Sequence, residues 1–214
     1  VFIVGVRKDL KMHYWFPSPT HAAAKHADRL HLKPHESHGD AIAGLPLWPD
    51  GEFYERHHDP EGHWNWYYMS RNRKARWDAP SYTIVANFRH ASLHPASETM
   101  TLTWSDLENG WKQRWDFSGE YEHTQGHPER NRLPYPRRLS WREAALIQTF
   151  PPEFDVVADD SKSKALEKRF EQVGNAVPPR LAESIIAPLL SGKALGKDPQ
   201  EAGVFGSPED QPVH

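Results

Sequence analysis

The stretch RRLSWREAALIQTFPPEF, residues 137–154, contains the clearest structural signal in the chain. Ser140 followed three residues later by Glu143 is the pattern of a capping box, in which each side chain accepts a hydrogen bond from the other residue's backbone N–H. Apolar residues continue from this pair until two consecutive prolines stop the helix. The sequence therefore predicts a capped helix that extends through Gln148.

Two further helices are predicted downstream, over residues 164–171 and from Pro179 onward, with a turn at residues 173–177 between them. Pro188 should end or kink the second helix, because proline cannot donate the helical hydrogen bond. The apolar positions of that helix have the spacing of one buried face: Leu181, Ala182, Ile185, Ile186 and Leu189. In a lone chain this face would be exposed.

The N-terminal half carries weaker signals, because short β-like runs are interrupted by Pro, Gly and charged residues. In chain order, the predicted elements are a buried strand at 1–6, a helix over 21–30 capped by Thr20, a capped turn at 40–46, and strands at 81–86 and 99–104. The opening strand has the character of one that the chain enters midway, as though sequence upstream had been cut off.

Composition excludes several classes of function. The 214 residues contain no cysteine, so this chain has no disulfide, no thiolate metal site and no cysteine nucleophile. No apolar run approaches the roughly 20 residues that a membrane-spanning helix needs. The formal charge is −3, and a surface for nucleic acid would therefore be a local patch.

Histidine is frequent, with 14 residues, and this invites a metal-binding interpretation. Two groups are closely spaced: His21, His26, His31, His35 and His38, and then His57, His58 and His63. Neither group has the spacing of a known zinc finger, and structural zinc sites usually include cysteine. We expect surface or core histidines and predict no metal site.

Residues 137–154 closely resemble the ninth motif of the cytosine-5 DNA methyltransferases. Residues 170–182, FEQVGNAVPPRLA, resemble their tenth motif, and the two matches occur in the family's order and spacing. Residues 1–10 are similar to the strand of the eighth motif, residues 16–21 to its exit, and residues 40–46 to a common turn of the family.

The resemblance implies an α+β fragment. It would combine a mostly β target-recognition domain with C-terminal helices that belong to an incomplete α/β, Rossmann-like domain of an S-adenosylmethionine-dependent methyltransferase. The implied boundaries are a strand of the catalytic domain at 1–17, the target-recognition domain at 18–136, the returning helices at 137–190, and a flexible tail at 191–214.

A basic segment lies inside the implied target-recognition domain. Residues 56–90 contain six Lys or Arg against three acidic residues, a local excess of +3. Cations neutralise phosphates, and Arg and Asn carry the paired groups that read G and A edges in the major groove. A solvated face is the alternative interpretation. The predicted DNA-binding residues are Arg71, Asn72, Arg73, Lys74, Arg76, Thr83, Asn87 and Arg89.

The assignment of Thr83 and the cofactor site come from the resemblance. The family's Thr-Ile pair after Asp-x-Pro corresponds to Thr83 and Ile84, which implies that Thr83 contacts a phosphate near the target base. The Gly-Asn turn of the tenth motif implies that Gly174, Asn175 and Ala176 contact S-adenosylmethionine. Arg142 and Glu143 are expected to organise the ninth-motif helix rather than to do chemistry, and no catalytic residue is assigned.

Cytosine-5 methylation needs a cysteine thiolate that attacks C6 of a flipped cytosine and so activates C5. This chain has no Cys, no Glu-Asn-Val segment and no Gly-rich turn after a first strand. The resemblance therefore implies the C-terminal, DNA-recognising part of a restriction–modification enzyme. S-adenosylmethionine and double-stranded DNA would be shared with a missing N-terminal part, and the chain alone would be inactive.

Two rival interpretations stay open. One is a non-catalytic DNA-binding or regulatory remnant of such an enzyme, and the weaker one is a His-rich metal-binding protein. The expected location is the cytoplasm of a prokaryote or its phage, in association with the nucleoid and not with a membrane.

Overall fold

The computed structural model of the protein describes residues 2–10, 14–58, 62–108, 110, 112–122, 132–156 and 164–190. The chain divides into two compact units, residues 1–20 with 179–214, and residues 21–178. Val1 of the predicted opening strand and the predicted tail at 191–214 lie outside the described residues. Within the described residues, no helix is both long enough and apolar enough to cross a membrane.

The larger unit is α+β, with short elements joined by long loops. In chain order it contains β1 (His21–Ala22), α1 (Ala24–Leu30), β2 (Lys33–Pro34), α2 (His38–Ile42), α3 (Trp66–Met69), β3 (Met100–Asp106), β4 (Lys112–Phe117), α4 (Trp141–Ile147) and α5 (Ala165–Gly174). Strands β1 and β2 pair in parallel. Strands β3 and β4 form an antiparallel hairpin whose register is irregular between Leu102 and Trp104.

Apolar side chains of the larger unit pack into three buried clusters. The first joins α4 and α5 to the loops around Tyr54 and Phe88 through Trp141 and Phe170. The second surrounds Trp77 and Leu139, and the third surrounds Tyr68 and Leu93. Loops from distant parts of the sequence therefore share their core with the C-terminal helices.

The capping box at the start of α4 is confirmed. Ser140 Oγ accepts a hydrogen bond from the Glu143 N–H at 3.0 Å, and Glu143 Oε2 accepts one from the Ser140 N–H at 2.8 Å. The strand predicted at 99–104 is also confirmed as β3. Helix α5 extends beyond its predicted end to include Gly174, so the predicted turn at 173–177 begins later.

Two N-terminal predictions were right in type and wrong in position. The helix predicted over 21–30 begins at Ala24, and its N-cap is Ala23 instead of Thr20, because His21 and Ala22 pair as a strand instead. The capped turn predicted at 40–46 is helix α2. Ser37 caps it, and Asp40 completes a second capping box.

The strand predicted at residues 81–86 is wrong. The segment has no ladder partner and runs as an extended loop. Its apolar residues signalled burial correctly, because Ile84 packs against two of the core clusters. A strand needs a neighbouring strand for its backbone, and here the backbone of Val85 and Ala86 lies against Gly174 of helix α5.

The smaller unit contains α6 (Pro179–Leu190), which continues two residues past Pro188. Tyr14 donates a hydrogen bond to the Ile185 carbonyl at 2.8 Å. Of the predicted apolar face of α6, Leu181 and Ile186 are exposed, and Ala182, Ile185 and Leu189 are half-buried. Residues 2–6 form no strand, contrary to the prediction, and Ile3 is 93 % exposed. In the described part of this unit no strand lies beside them to complete a sheet.

Candidate nucleic-acid interface

A buried ion pair anchors the C-terminal segment to the loops before it. Arg137 donates two hydrogen bonds to Glu143, at 2.9 Å and 2.7 Å, and both side chains are 1 % exposed. The Arg137 Nε also donates to the Leu47 carbonyl at 2.7 Å. Such a pair is favourable in the interior only when its geometry is good and its remaining donors are satisfied, as they are here.

Arg138 is buried in an aromatic box. Its guanidinium lies 4.0 Å from the ring centre of Tyr68, 4.5 Å from that of Trp64 and 4.8 Å from that of Tyr54. It donates to the His63 carbonyl at 2.6 Å and to the Arg89 carbonyl at 3.0 Å. Arg138 therefore holds the loop that carries Arg89.

The two basic loops predicted to meet DNA are brought together. Arg73 donates from Nε to the Tyr68 carbonyl at 2.8 Å and from a terminal nitrogen to the His90 carbonyl at 3.2 Å. Lys74 pairs with Leu93 through the backbone, and Leu93 pairs in turn with Arg138. Residues 71–76 and 87–90, predicted as separate candidates, thus belong to one surface.

The eight predicted DNA-binding residues differ in how they use their side chains. Lys74 is 6 % exposed, and its ammonium donates to the Ala75 and Pro95 carbonyls at 2.7 Å each. Arg73 is half-buried and bonded as described above. Arg76 is exposed and forms ion pairs with Asp78 at 3.0 Å and with Glu122 at 3.3 Å. These three cations are already engaged within the protein.

The remaining five residues are exposed: Arg71, Asn72, Thr83, Asn87 and Arg89. Asn72 and Asn87 turn their side-chain oxygens to the backbone N–H of Lys74 and Arg89. Among the described residues, no carboxylate pairs with the guanidinium of Arg71 or Arg89. These two arginines therefore present uncompensated positive charge to solvent, which is the condition for binding a phosphate.

The Gly-Asn segment lies beside the Thr83-Ile84 segment. Gly174 is the last residue of α5, and a Cβ there would stand 2.5 Å from the carbonyl carbon of Val85. Asn175 is the exposed C-cap, and its N–H donates to the Glu171 carbonyl at 3.1 Å. The Ala176 N–H donates to the Val173 carbonyl at 3.3 Å. The first predicted cofactor residue, Gly174, thus packs on the segment that continues from Thr83.

The histidine groups do not assemble into a metal centre in the part of the chain that the structure describes. The rings of His57 and His58 stack at 4.0 Å, and His57 Nδ1 lies 3.1 Å from Glu55 Oε2. His63 stacks on Tyr54 at 5.1 Å. These contacts pack the loop that precedes α3.

Two histidines are buried near the ion pair. His94 accepts the Ala96 N–H at 3.0 Å, and its Nε2 lies 3.4 Å from Glu143 Oε1. Burial, followed by the charge of Arg137, lowers the pKa of His94 well below 6.5. Burial also lowers the pKa of His38, whose Nδ1 lies 3.0 Å from the Ala79 carbonyl oxygen.

These histidines should make the chain sensitive to mild acid. A histidine whose folded-state pKa is lowered binds fewer protons when folded, so its stability contribution is complete above the unfolded pKa of about 6.5 and is lost as pH falls below it. We expect the free energy of unfolding in urea to fall between pH 7.5 and 5.5, by up to about 1.4 kcal/mol per pH unit for each histidine. A flat profile in this window, or an unchanged slope in His94→Gln, would contradict the assignment.

Sequence reasoning missed the roles of Arg137 and Arg138. The adjacent arginines were visible directly before the capping box, and an Arg-Arg pair beside a buried helix start is a usable signal.

Comparison with known proteins assigns the chain to a family. Residues 1–191 match the family described as C-5 cytosine-specific DNA methylase. The chain belongs to this family. The resemblance drawn from the ninth and tenth motifs is thereby confirmed.

Among curated relatives of this methylase chain, the type II methyltransferase M.BsuRI of Bacillus subtilis is 36 % identical over 196 residues, which are 89 % of this chain and 38 % of the relative. M.BspRI of Lysinibacillus sphaericus is 34 % identical over 94 % of this chain and 42 % of its own length. M.MthTI of Methanothermobacter thermautotrophicus is 34 % identical over 86 % of this chain and 48 % of its own length. The chain thus spans less than half the length of these relatives.

Proposed function

We propose that this chain is the C-terminal, DNA-recognising part of a DNA cytosine-5-methyltransferase of a restriction–modification system. Family membership and relatives named type II methyltransferases support the reaction class. The observation that carries the proposal is the surface formed by residues 71–76 and 87–90, on which Arg71 and Arg89 present uncompensated charge. Double-stranded DNA is the substrate that such a surface fits.

The reaction requires a nucleophile that this chain does not contain, because it has no cysteine. An N-terminal part would supply the thiolate that attacks C6 of the flipped cytosine. The exposure of two large apolar side chains of α6, Leu181 and Ile186, supports this division, since exposed apolar surface marks an interaction site. This chain would contribute recognition and the positioning of the target strand.

S-adenosylmethionine would be held partly by this chain. Asn175 is the residue best placed for it, because its side chain is exposed at the end of α5. Gly174 would position Asn175 by packing closely on Val85 and Ala86, and Ala176 would lie beside the cofactor next to Asn175. The cofactor supplies an electrophilic methyl group, and the three residues of this chain would form one side of its site.

Within the same proposal, Thr83 would meet a phosphate near the target base. Its exposure supports this role, and Ile84 secures the segment in the core. Arg71, Asn72, Asn87 and Arg89 would meet the duplex directly. Arg73, Lys74 and Arg76 would shape the loop, since their own groups are bonded to the protein.

Methyl transfer from labelled S-adenosylmethionine to duplex DNA tests the proposal. The purified chain alone should transfer none, and an N-terminal part that carries the nucleophilic cysteine should restore activity. The coding sequence upstream of the Val1 codon identifies the natural partner, and that part with its nucleophilic cysteine replaced by serine is the control. We call the two parts together the complemented enzyme.

The absence of cysteine also favours a second candidate, a DNA-binding remnant that has lost catalysis. That function predicts DNA binding by the chain and no activity with any N-terminal part. Turnover by the isolated chain would contradict both candidates.

A further inference from the structure

His90 belongs to the basic surface and Tyr67 packs against it, and neither residue was among the predicted DNA-binding residues. Their ring centres are 4.9 Å apart with the planes tilted by 46°. Tyr67 is 56 % exposed, and His90 is half-buried. Arg73 holds the backbone of His90 in place, because the His90 carbonyl accepts a hydrogen bond from its guanidinium at 3.2 Å.

Four guanidinium groups act electrostatically on His90. Partial burial and then the charges of Arg73, Arg138, Arg89 and Arg71 lower the pKa of His90. The charged groups that act on His90 are all arginines, and they come from three separate segments of the chain. The pKa of the His90 ring therefore lies below that of a free imidazole, and the neighbouring arginines disfavour its protonated form while no anion is bound.

A phosphate that binds to this surface would favour protonation of His90 instead of opposing it. Its negative charge would offset the arginines and stand close to the imidazole, and both effects favour the protonated ring. A proton would then pass from solvent to the histidine as the phosphate binds. The protonated ring can donate a hydrogen bond to a phosphate oxygen, which makes binding and proton uptake linked equilibria.

We propose that His90 and Tyr67 form the centre of the contact with the DNA backbone, where His90 takes up a proton from solvent and donates a hydrogen bond to a phosphate oxygen. Tyr67 packs on the imidazole and presents its exposed ring and hydroxyl beside it. This inference rests on the proposed function, because the same loops carry Arg71 and Arg89. It adds a contact whose strength depends on pH.

The affinity of the complemented enzyme for its duplex site, measured at fixed ionic strength at pH 8.0 and pH 6.0, tests this contact. Linkage to one proton predicts binding about threefold to tenfold tighter at pH 6.0. His90→Gln should lose this gain. His35→Gln, which alters an exposed histidine outside the surface, should keep it. Tyr67→Ala should weaken binding at both pH values.

Calorimetric titration of the unsubstituted complemented enzyme in two buffers of different ionisation enthalpy measures the proton directly. Uptake of part of a proton near pH 7 is expected, and its absence would overturn the inference, as would an unchanged pH dependence in His90→Gln. Arg71→Ala and Arg89→Ala test the proposed function separately. If both variants bind DNA like the parent, the surface itself is misplaced, whatever His90 does.

Discussion

Glu143→Gln is expected to lower the free energy of unfolding of the chain by about 3–5 kcal/mol, the loss typical of breaking a buried ion pair. The substitution keeps the volume of the side chain and removes its charge. Arg137 would remain 1 % exposed with a guanidinium that no carboxylate compensates. Its other bonds, to the carbonyls of Leu47 and Arg138, cannot replace that charge.

The matched control is Glu52→Gln. Glu52 pairs with Arg142 at 3.2 Å, and both side chains are partly exposed to solvent. An exposed pair contributes about 0–1 kcal/mol, so this variant should unfold in urea close to the parent. Equal losses in the two variants would show that burial of the Arg137–Glu143 pair is not what matters.

Gly174→Ala is expected to destabilise the chain by about 2–3 kcal/mol, toward the upper end of the cost of overpacking a core. The new methyl group would overlap the backbone of Val85 and Ala86, and a backbone cannot rotate away as a side chain can. A loss of stability would be informative, because replacing glycine by alanine within a helix ordinarily raises the free energy of unfolding by about 0.5–1 kcal/mol.

Gly44→Ala provides the comparison, because no atom lies within 4 Å of the position its Cβ would take. That variant should stay within about 0.5 kcal/mol of the parent in urea unfolding. A Gly174→Ala chain as stable as the parent would mean that α5 does not pack on the Thr83–Ala86 segment. The physical link between the predicted cofactor turn and the predicted DNA segment would then be lost.

Local interactions made part of this molecule predictable. The capping box of Ser140 and Glu143 joins residues three positions apart, so the pattern of letters contains the whole interaction. The alternating pattern of β3 was equally readable. The absence of cysteine and the order of the two C-terminal motifs were also predictable, since both can be read directly from the amino-acid sequence.

Contacts between distant segments decided the rest. Lys74 and Arg71 belong to one basic segment of the sequence. The side chain of Lys74 is nevertheless buried, where its ammonium donates to the carbonyls of Ala75 and Pro95, whereas Arg71 is exposed to solvent. Residues 81–86 have the composition of a strand, but no strand pairs with them. Their backbone packs instead against Gly174, the last residue of helix α5. Their backbone conformation follows from that neighbour, which no local pattern specifies.

The sequence by itself determined the family, the capped helix α4 and the lack of a cysteine nucleophile, because each depends on residue identity or on neighbours a few positions away. The tertiary structure alone decided which arginines are structural and which face solvent. Arg137 and Arg138 are held by carbonyls at Leu47 and His63, far away in the chain. The burial of a long charged side chain depends on partners that only folding brings within hydrogen-bonding distance.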